Sequence, residues 1–160
     1  MKTCIVYHSY SGITRGIAEK IQAATGGDLI EVKPRRPYTT LTAYSLGCIR
    51  ARGEEAEPIE PAAIDVSFYD LIVIGTPVWA WKSTPAANGA INALQNCQGK
   101  KAVLFATCGS QAGETIPIMK RALERKGVTI VGEFVFSRKD VADDQKIAGL
   151  IHAVTMAGSA

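Results

Sequence analysis

Residues 2 to 25 read KTCIVYHSYSGITRGIAEKIQAAT. The opening KTCIVY is a run of β-branched, aromatic and other apolar residues, the composition of a strand. The closing residues bring apolar side chains back at helical spacing, with Ile13, Ile17 and Ile21 on one face. Between them, HSYSGITRG (8 to 16) sets three hydroxyls, Ser9, Ser11 and Thr14, around Gly12 at a strand-to-helix turn. A helix cap needs only one hydroxyl. A helix N-terminus also presents free N–H groups at the positive end of its dipole. Glycine there accepts positive φ and lets the backbone close around a ligand. Together these features form a cradle for an anion such as phosphate, with no lysine required.

The same strand-then-helix grammar repeats along the chain. Gly26-Gly27 stops the first helix. DLIEV (28 to 32) alternates apolar and polar residues, as a strand with one wet face does. KPRRPY (33 to 38) is an extended link, restricted by two prolines. A helix is expected from about Thr42 to Arg52, then a charged, proline-broken loop, GEEAEPIEPAAI (53 to 64). DLIVIG (70 to 75) and KAVLFA (101 to 106) are continuous apolar runs, the signature of strands buried on both faces. TPVWAWKSTP (76 to 85) and TCGSQAGE (107 to 114) read as loops. Helices are expected over 85–96 with Ile91 and Leu94, and over 115–126 with Ile116, Met119 and Leu123 inward. VTIVGEFVF (128 to 136) reads as a strand. A last helix is expected over 141–156, carrying Ile147, Leu150, Ile151 and Val154 inward.

This βαβαβαβαβα order predicts an α/β fold, a doubly wound five-stranded parallel sheet with helices on both faces. The first, third and fourth strands are the most apolar and belong at the centre. The second belongs at an edge, which favours the order 2-1-3-4-5. In such sheets a ligand binds at the carboxyl ends of the strands, where the strand order reverses. That point lies between strands 1 and 3, where loops 9–14, 76–83 and 107–113 converge.

Composition narrows the function. The 160 residues are expected to form a single domain spanning 1–160, and 47% hydrophobic content supports a sizeable core. The net charge of +3 is too small to point to nucleic acid. No apolar run reaches membrane-spanning length, and the N-terminus lacks the pattern of a secretory signal, so a cytoplasmic location is expected. Cysteines 4, 48, 97 and 108 form no C-x-x-C pair and His8 and His152 lie far apart, so no metal site is expected. Neither the phosphate-binding G-x-x-x-x-G-K-[ST] loop nor a G-x-G-x-x-G turn is present. No cysteine has an arginine six residues on, so the cradle suits holding a phosphomonoester rather than cutting it. The basic clusters read first as solvated faces. Lys120 to Lys126, on the helix after the third loop, could also steer an acidic partner.

Both tryptophans, Trp79 and Trp81, stand in the second loop. Either could cover a flat aromatic ligand, and Trp79 is preferred because it follows the strand sooner. Packing against a neighbouring loop or a second subunit is the competing reading. The third loop offers backbone N–H groups with the side chains of Ser110 and Gln111. Taken alone, it is equally an ordinary strand-to-helix turn.

With these residues in view, the chain resembles the flavodoxin family. SYSGIT matches the family's phosphate loop, [ST]-x-[ST]-G-x-T, in full, and IGTPVWAW and FATCGSQAG are similar to its second and third flavin loops. The switch-point rule is itself illustrated by flavodoxin, with FMN at that position. The resemblance implies FMN as cofactor and no catalytic side chain. Ser9, Tyr10, Ser11, Gly12, Ile13 and Thr14 would then hold its phosphate. Thr76, Pro77, Val78, Trp79, Ala80 and Trp81 would follow the ring edge and face, and Cys108, Gly109, Ser110, Gln111 and Ala112 the pyrimidine side. It implies an electron-transfer carrier serving redox protein partners. The alternative is an FMN-dependent NAD(P)H:quinone-type reductase. A flavin-free binding domain is the third reading, which the complete phosphate loop opposes.

Two departures from familiar carriers shape these expectations. Carriers are strongly acidic, and this chain is slightly basic. Carriers often place a glycine beside flavin N5, and none stands between Thr76 and Ser83. Left-handed backbone there should cost roughly 1–2 kcal/mol per residue. The one-electron-reduced flavin is therefore expected to be less stabilised, favouring transfer of electron pairs. The segment 34–68 exceeds a simple crossover and could cover a substrate or build a dimer.

Overall fold

The computed structural model describes residues 1–159. Strand β1 (Thr3–His8) is buried at every position. The turn after it enters α1 (Ile13–Thr25), which ends at a left-handed Gly26. Strand β2 (Asp28–Pro34) follows. A helical segment then runs from Thr40 to Arg52 in three parts: α2 (Thr40–Thr42), a π-turn (Ala43–Gly47) and α3 (Cys48–Arg52). Thr39 and Thr42 close its start by reciprocal side-chain-to-backbone bonds.

The linker beyond holds two short strands, β3 (Ile59–Glu60) and β4 (Ile64–Asp65). Next come β5 (Leu71–Trp79), β6 (Lys82–Ser83) and α4 (Pro85–Ala93). The N-terminus of α4 has Pro85 in its first turn and Thr84 as cap, accepting from the Ala87 N–H. The chain continues as β7 (Leu94–Gln95), β8 (Lys101–Thr107), α5 (Thr115–Arg125) and β9 (Thr129–Phe136). A short 3-10 turn at Asp140–Ala142 precedes α6 (Asp144–Ala157), where Asp143 accepts from the N–H groups of Gln145 and Lys146.

The main sheet has the order β3-β2-β1-β5-β8-β9, with β6 folded back onto the end of β5. The five long strands pair in parallel. Alternate residues feed two cores. Cys4, Val6, Ile72, Ile74, Ala102 and Leu104 face α4 and α5, meeting Ala90, Ile91, Ile116, Met119 and Leu123. Ile5, Tyr7, Leu71, Val73, Val103 and Phe105 face α1 and α6, meeting Ile17, Ile21, Ile147, Leu150 and Val154. Period-two alternation thus splits each central strand between two helical layers. Cys4 belongs to the first core, and burial, aided by Asp28, pushes its thiol up to about 12.

Four elements differ from the sequence reading. The stretch 76–85 is no plain loop, because β5 continues to Trp79 and returns as β6. The antiparallel β3 pairs with Lys33 and Pro34, so the end of β2 is covered. Helix α4 stops at Ala93 because Leu94 and Gln95 pair with Ile64 and Asp65. Ile13 leaves the apolar face of α1 and is 42% exposed, because it lies at the mouth of the turn.

Gly75 shows how closely the sheet packs. A β-carbon there would sit 2.2 Å from the Phe105 ring. Gly75→Ala should therefore cost at least about 1–3 kcal/mol, the usual range for overpacking. Urea unfolding of the variant should show a lower midpoint at unchanged slope.

Candidate functional site

The carboxyl ends of β1, β5 and β8 open into a cavity of about 460 Å³. Its walls come from four places. Tyr10, Ser11 and Ile13 stand on the first turn, and Pro77, Val78, Trp79 and Ala80 on the end of β5. Thr107, Cys108 and Gly109 close the third side, with Arg138 and Val141 beyond them. The helical segment adds Thr40, Ala43, Tyr44 and Cys48.

The first turn is built around the Ser9 hydroxyl, which accepts from the N–H groups of Gly12 at 3.1 Å and Arg15 at 3.2 Å. Gly12 sits at φ 94°, with nothing within 4 Å of where a β-carbon would stand. The N–H groups of Ser11, Ile13 and Thr14 donate to no other described residue. They remain as the orphan donors of a helix N-terminus. The Thr14 hydroxyl is buried and 2.8 Å from that of Thr107, tying the turn to the end of β8.

Trp79 is wedged. The rings of His8, Tyr10 and Tyr38 meet it edge-on, at centroid distances of 5.8, 5.7 and 5.4 Å. From above, Gly47 lies so near that a β-carbon would be 2.7 Å from the indole. Ala43, Gly47 and Ala51 form the buried side of the helical segment, so it rests directly on this tryptophan. The segment is moored by Tyr38, whose hydroxyl donates to Glu57 at 2.8 Å, and by Arg50, 3.6 Å from the same carboxylate. Burial raises the pKa of Glu57 against these two partners.

Beneath Trp79, His8 is 3% exposed, with Nδ1 2.8 Å from the Thr84 hydroxyl. Thr84 also lies 3.3 Å from the Thr76 hydroxyl, which donates to the Pro77 carbonyl. Burial lowers the His8 pKa to about 4, with Glu31 opposing the shift.

The turn from β5 to β6 is unusual in composition. Ala80 and Trp81 both lie in the left-handed region, at φ 50° and 62°. Without glycine or asparagine, that geometry has to be held from outside. The Glu114 N–H donates to the Trp81 carbonyl at 2.9 Å. Gly113 packs so closely that a β-carbon would fall 2.5 Å from that oxygen. Lys82 bridges Glu54 and Glu114 at 2.8 and 2.7 Å, and these partners raise its pKa. Left-handed backbone is costly for residues with a β-carbon. It is present, because two neighbouring segments clamp the turn.

Of the residues singled out in the sequence, Tyr10, Ser11, Ile13, Pro77, Val78, Trp79, Ala80, Cys108 and Gly109 line the cavity. Ser9, Gly12, Thr14 and Thr76 build its frame instead, through the bonds and turn described. Trp81 stands off the cavity and is 64% exposed. Ser110, Gln111 and Ala112 also lie off it, and the Ala112 carbonyl accepts the Thr115 hydroxyl. Sequence reasoning missed Thr40, Ala43, Tyr44, Cys48, Thr107, Arg138 and Val141. One signal existed. Large apolar Leu41, Tyr44 and Ile49 alternate in the sequence with small Ala43, Gly47 and Ala51, and in the fold the large ones stand 79%, 78% and 65% exposed.

A doubly wound parallel sheet with a cavity at its switch point defines a nucleotide- or flavin-holding class of α/β protein. A family model described as Flavodoxin matches residues 2–131, and the chain belongs to the flavodoxin family. No curated protein matches it. Among solved structures, it resembles a Bacteroides eggerthii protein described provisionally as a flavoprotein, at 25% identity and TM-score 0.74, covering 96% of this chain and 98% of that one. A flavoprotein from Lactobacillus acidophilus, solved in complex with FMN, is 24% identical with TM-score 0.72, covering 92% and 98%. Two-electron reduced Megasphaera elsdenii flavodoxin is 22% identical with TM-score 0.59, covering 99% of each chain. No helix among the described residues is long and apolar enough to cross a membrane.

Two outcomes follow from this geometry. His8 is held neutral when folded, while the unfolded chain takes up its proton near pH 6.5. Between pH 6.5 and about 4 the unfolded state therefore binds more protons, so stability should fall as the pH drops through that window. Denaturation midpoints across the window should show this slope, and His8→Gln should flatten it. Gly113→Ala forces a side chain onto Trp81 at φ 55°. It should destabilise by roughly 1–3 kcal/mol, read by chemical unfolding.

Proposed function

We propose that this protein binds FMN in the cavity and works as a flavodoxin-type electron-transfer protein of the cytoplasm. The observation that carries this reading is the array of unpaired N–H groups at Ser11, Ile13 and Thr14, at the mouth of a cavity walled by Trp79. A volume of about 460 Å³ falls within the range of small-molecule sites. Open space beside Gly12 leaves room for a phosphate. Family membership and the FMN held by the Lactobacillus acidophilus flavoprotein support the same cofactor.

Bound FMN supplies the electron chemistry through its ring. The chain's own residues position it. The α1 N-terminus holds the phosphate through backbone donors and the helix dipole. The Thr14 hydroxyl, fixed by Thr107, can donate to the same anion. Trp79 is immobilised by three rings and so offers a rigid aromatic wall. The backbone at Cys108 and Gly109 provides polar groups on the far side, and the helical segment shields the cavity from water.

The partners proposed are other redox proteins. Of the basic residues on α5 and at its end, Lys120 pairs with Glu133, and Lys126 donates to the carbonyls of Ile91, Asn92 and Leu94. That leaves Arg121 and Arg125 as the cations available to an acidic partner. A second reading, an FMN-dependent reductase of quinone-type acceptors, is favoured by Tyr44, which brings an exposed aromatic ring to the cavity mouth.

FMN titration into apoprotein should quench tryptophan fluorescence, and Trp79→Leu should remove most of that response while Trp81→Leu retains it. Riboflavin should bind at least about tenfold more weakly than FMN, a difference of about 1.4 kcal/mol. Equal affinities would overturn the assignment of the phosphate to the first turn. NADPH-to-quinone turnover by the isolated FMN-loaded protein would select the reductase reading. Reduction only through a separate flavoprotein would select the carrier.

A further inference from the structure

Among the described residues that line the cavity, Arg138 alone carries a formal charge. It follows β9, and its backbone N–H donates to the Gly109 carbonyl at 3.4 Å, which fixes it to the third wall. Its guanidinium forms no ion pair and no side-chain hydrogen bond with another described residue. The neighbouring carboxylate, Asp140, is already engaged by the Ser137 N–H at 2.9 Å and by Lys146 at 2.5 Å. Those contacts lower the Asp140 pKa to about 2, so it is ionised and satisfied. Arg138 and Lys139 beside it are both exposed, so the Arg138 guanidinium meets the cavity from its solvent side.

The other elements bring no counter-charge. The titratable groups they present to the cavity are Tyr10, Tyr44, Cys48 and Cys108. The Cys108 thiol is pushed up by burial and by Asp140. His8, below Trp79, is held neutral by burial. Glu31, behind β1, is paired with Arg15. A chamber whose one formal charge is a permanent cation favours any ligand that becomes more negative inside it.

Resting on the FMN reading, we propose that Arg138 stabilises the anionic reduced form of the flavin and thereby sets the two-electron potential of this protein. The oxidised isoalloxazine is neutral. On taking two electrons and one proton it becomes a monoanion, with the charge spread over N1 and C2=O. A second proton, at N1, would neutralise it. The electrons come from a reductant, a flavoprotein or nicotinamide donor in the cell and dithionite in the experiment. Arg138 attracts the reduced ring more than the oxidised one, so it raises the potential and lowers the pKa at N1. The phosphate of FMN is negative in both redox states. If Arg138 served the phosphate instead, affinity would change while the potential stayed fixed.

The test uses FMN-loaded wild type, Arg138→Gln and Arg138→Lys, with the two-electron potential measured against pH by dithionite reduction with reference dyes. Removing the charge should shift the reduced-to-oxidised ratio about tenfold, a fall of about 30 mV for a two-electron couple. The break in the potential–pH plot, which marks the N1 proton, should move up by about one pH unit in Arg138→Gln, the same tenfold factor. Arg138→Lys should retain most of both. Thermal unfolding of the apoprotein should be unchanged, since the guanidinium has no folded-state partner to lose. An unchanged potential and break in Arg138→Gln would overturn the proposal. So would weaker FMN binding with unaltered riboflavin binding and potential, which would place Arg138 on the phosphate. A wild type that fails to bind FMN would remove the cofactor reading itself, a distinct outcome.

Discussion

Strand β5 is longer than the strands beside it, and the site depends on that overhang. Its pairing with β1 ends at Gly75 opposite Tyr7, and with β8 at Pro77 opposite Thr107. Beyond that point it has lost both neighbours, and an unpaired backbone must find other partners. It does so by folding back through Ala80 and Trp81 to pair with Lys82 and Ser83. The projecting hairpin carries Trp79 above the sheet. There it gives the helical segment something to rest on, and it separates the cavity from the core.

The hairpin is held by groups distant in sequence. Glu54 comes from the charged linker and Glu114 from the start of α5, and they converge on one lysine. Individually such pairs are weak when solvent reaches them. Here they act with a backbone bond and a close glycine contact on the same short turn, so their combined role is geometric.

Legibility in the sequence followed the physics of each element. Buried parallel strands must be apolar throughout, so β1, β5 and β8 were plain from composition, and the tight turn between β1 and α1 was plain from the glycine between a strand pattern and a helix pattern. The left-handed pair at Ala80 and Trp81 was not, because neither residue favours that conformation and the clamp acts through Gly113 and Glu114. The helical segment was found, and segment 34–68 was read as able to cover a substrate or build a dimer, but its seat on Trp79 was not legible. Its seat is a row of small residues, Ala43, Gly47 and Ala51, whose meaning appears only once Trp79 lies beneath them. Arg138 was invisible for a similar reason. A single arginine after a strand has no local pattern, and its significance lies in having no ion-pair partner among the described residues, the nearby Asp140 being engaged by Lys146. In the basic run from Lys120 to Lys126, the pairing of Lys120 with Glu133 and of Lys126 with three backbone carbonyls was equally illegible, because those partners lie far off in sequence.

The two margins of the sheet differ, and the difference bears on how the protein stays dispersed. On one side the margin is β2, which carries Asp28, Glu31 and Lys33 along it and is covered at its end by the two-residue β3. On the other lies the eight-residue β9, with Val131 and Val135 open to water. A long exposed margin of this kind invites strand addition from another chain. Two features disfavour it. The ladder to β8 slips between Ala102 and Val103, next to Gly132, which bends the strand away from flatness. Glu133 lies between the two valines and is tethered to Lys120, so an incoming strand would meet a bound ion pair in the middle of its apolar footing. The protein carries its guard against fibre-like association in one kink and one charge.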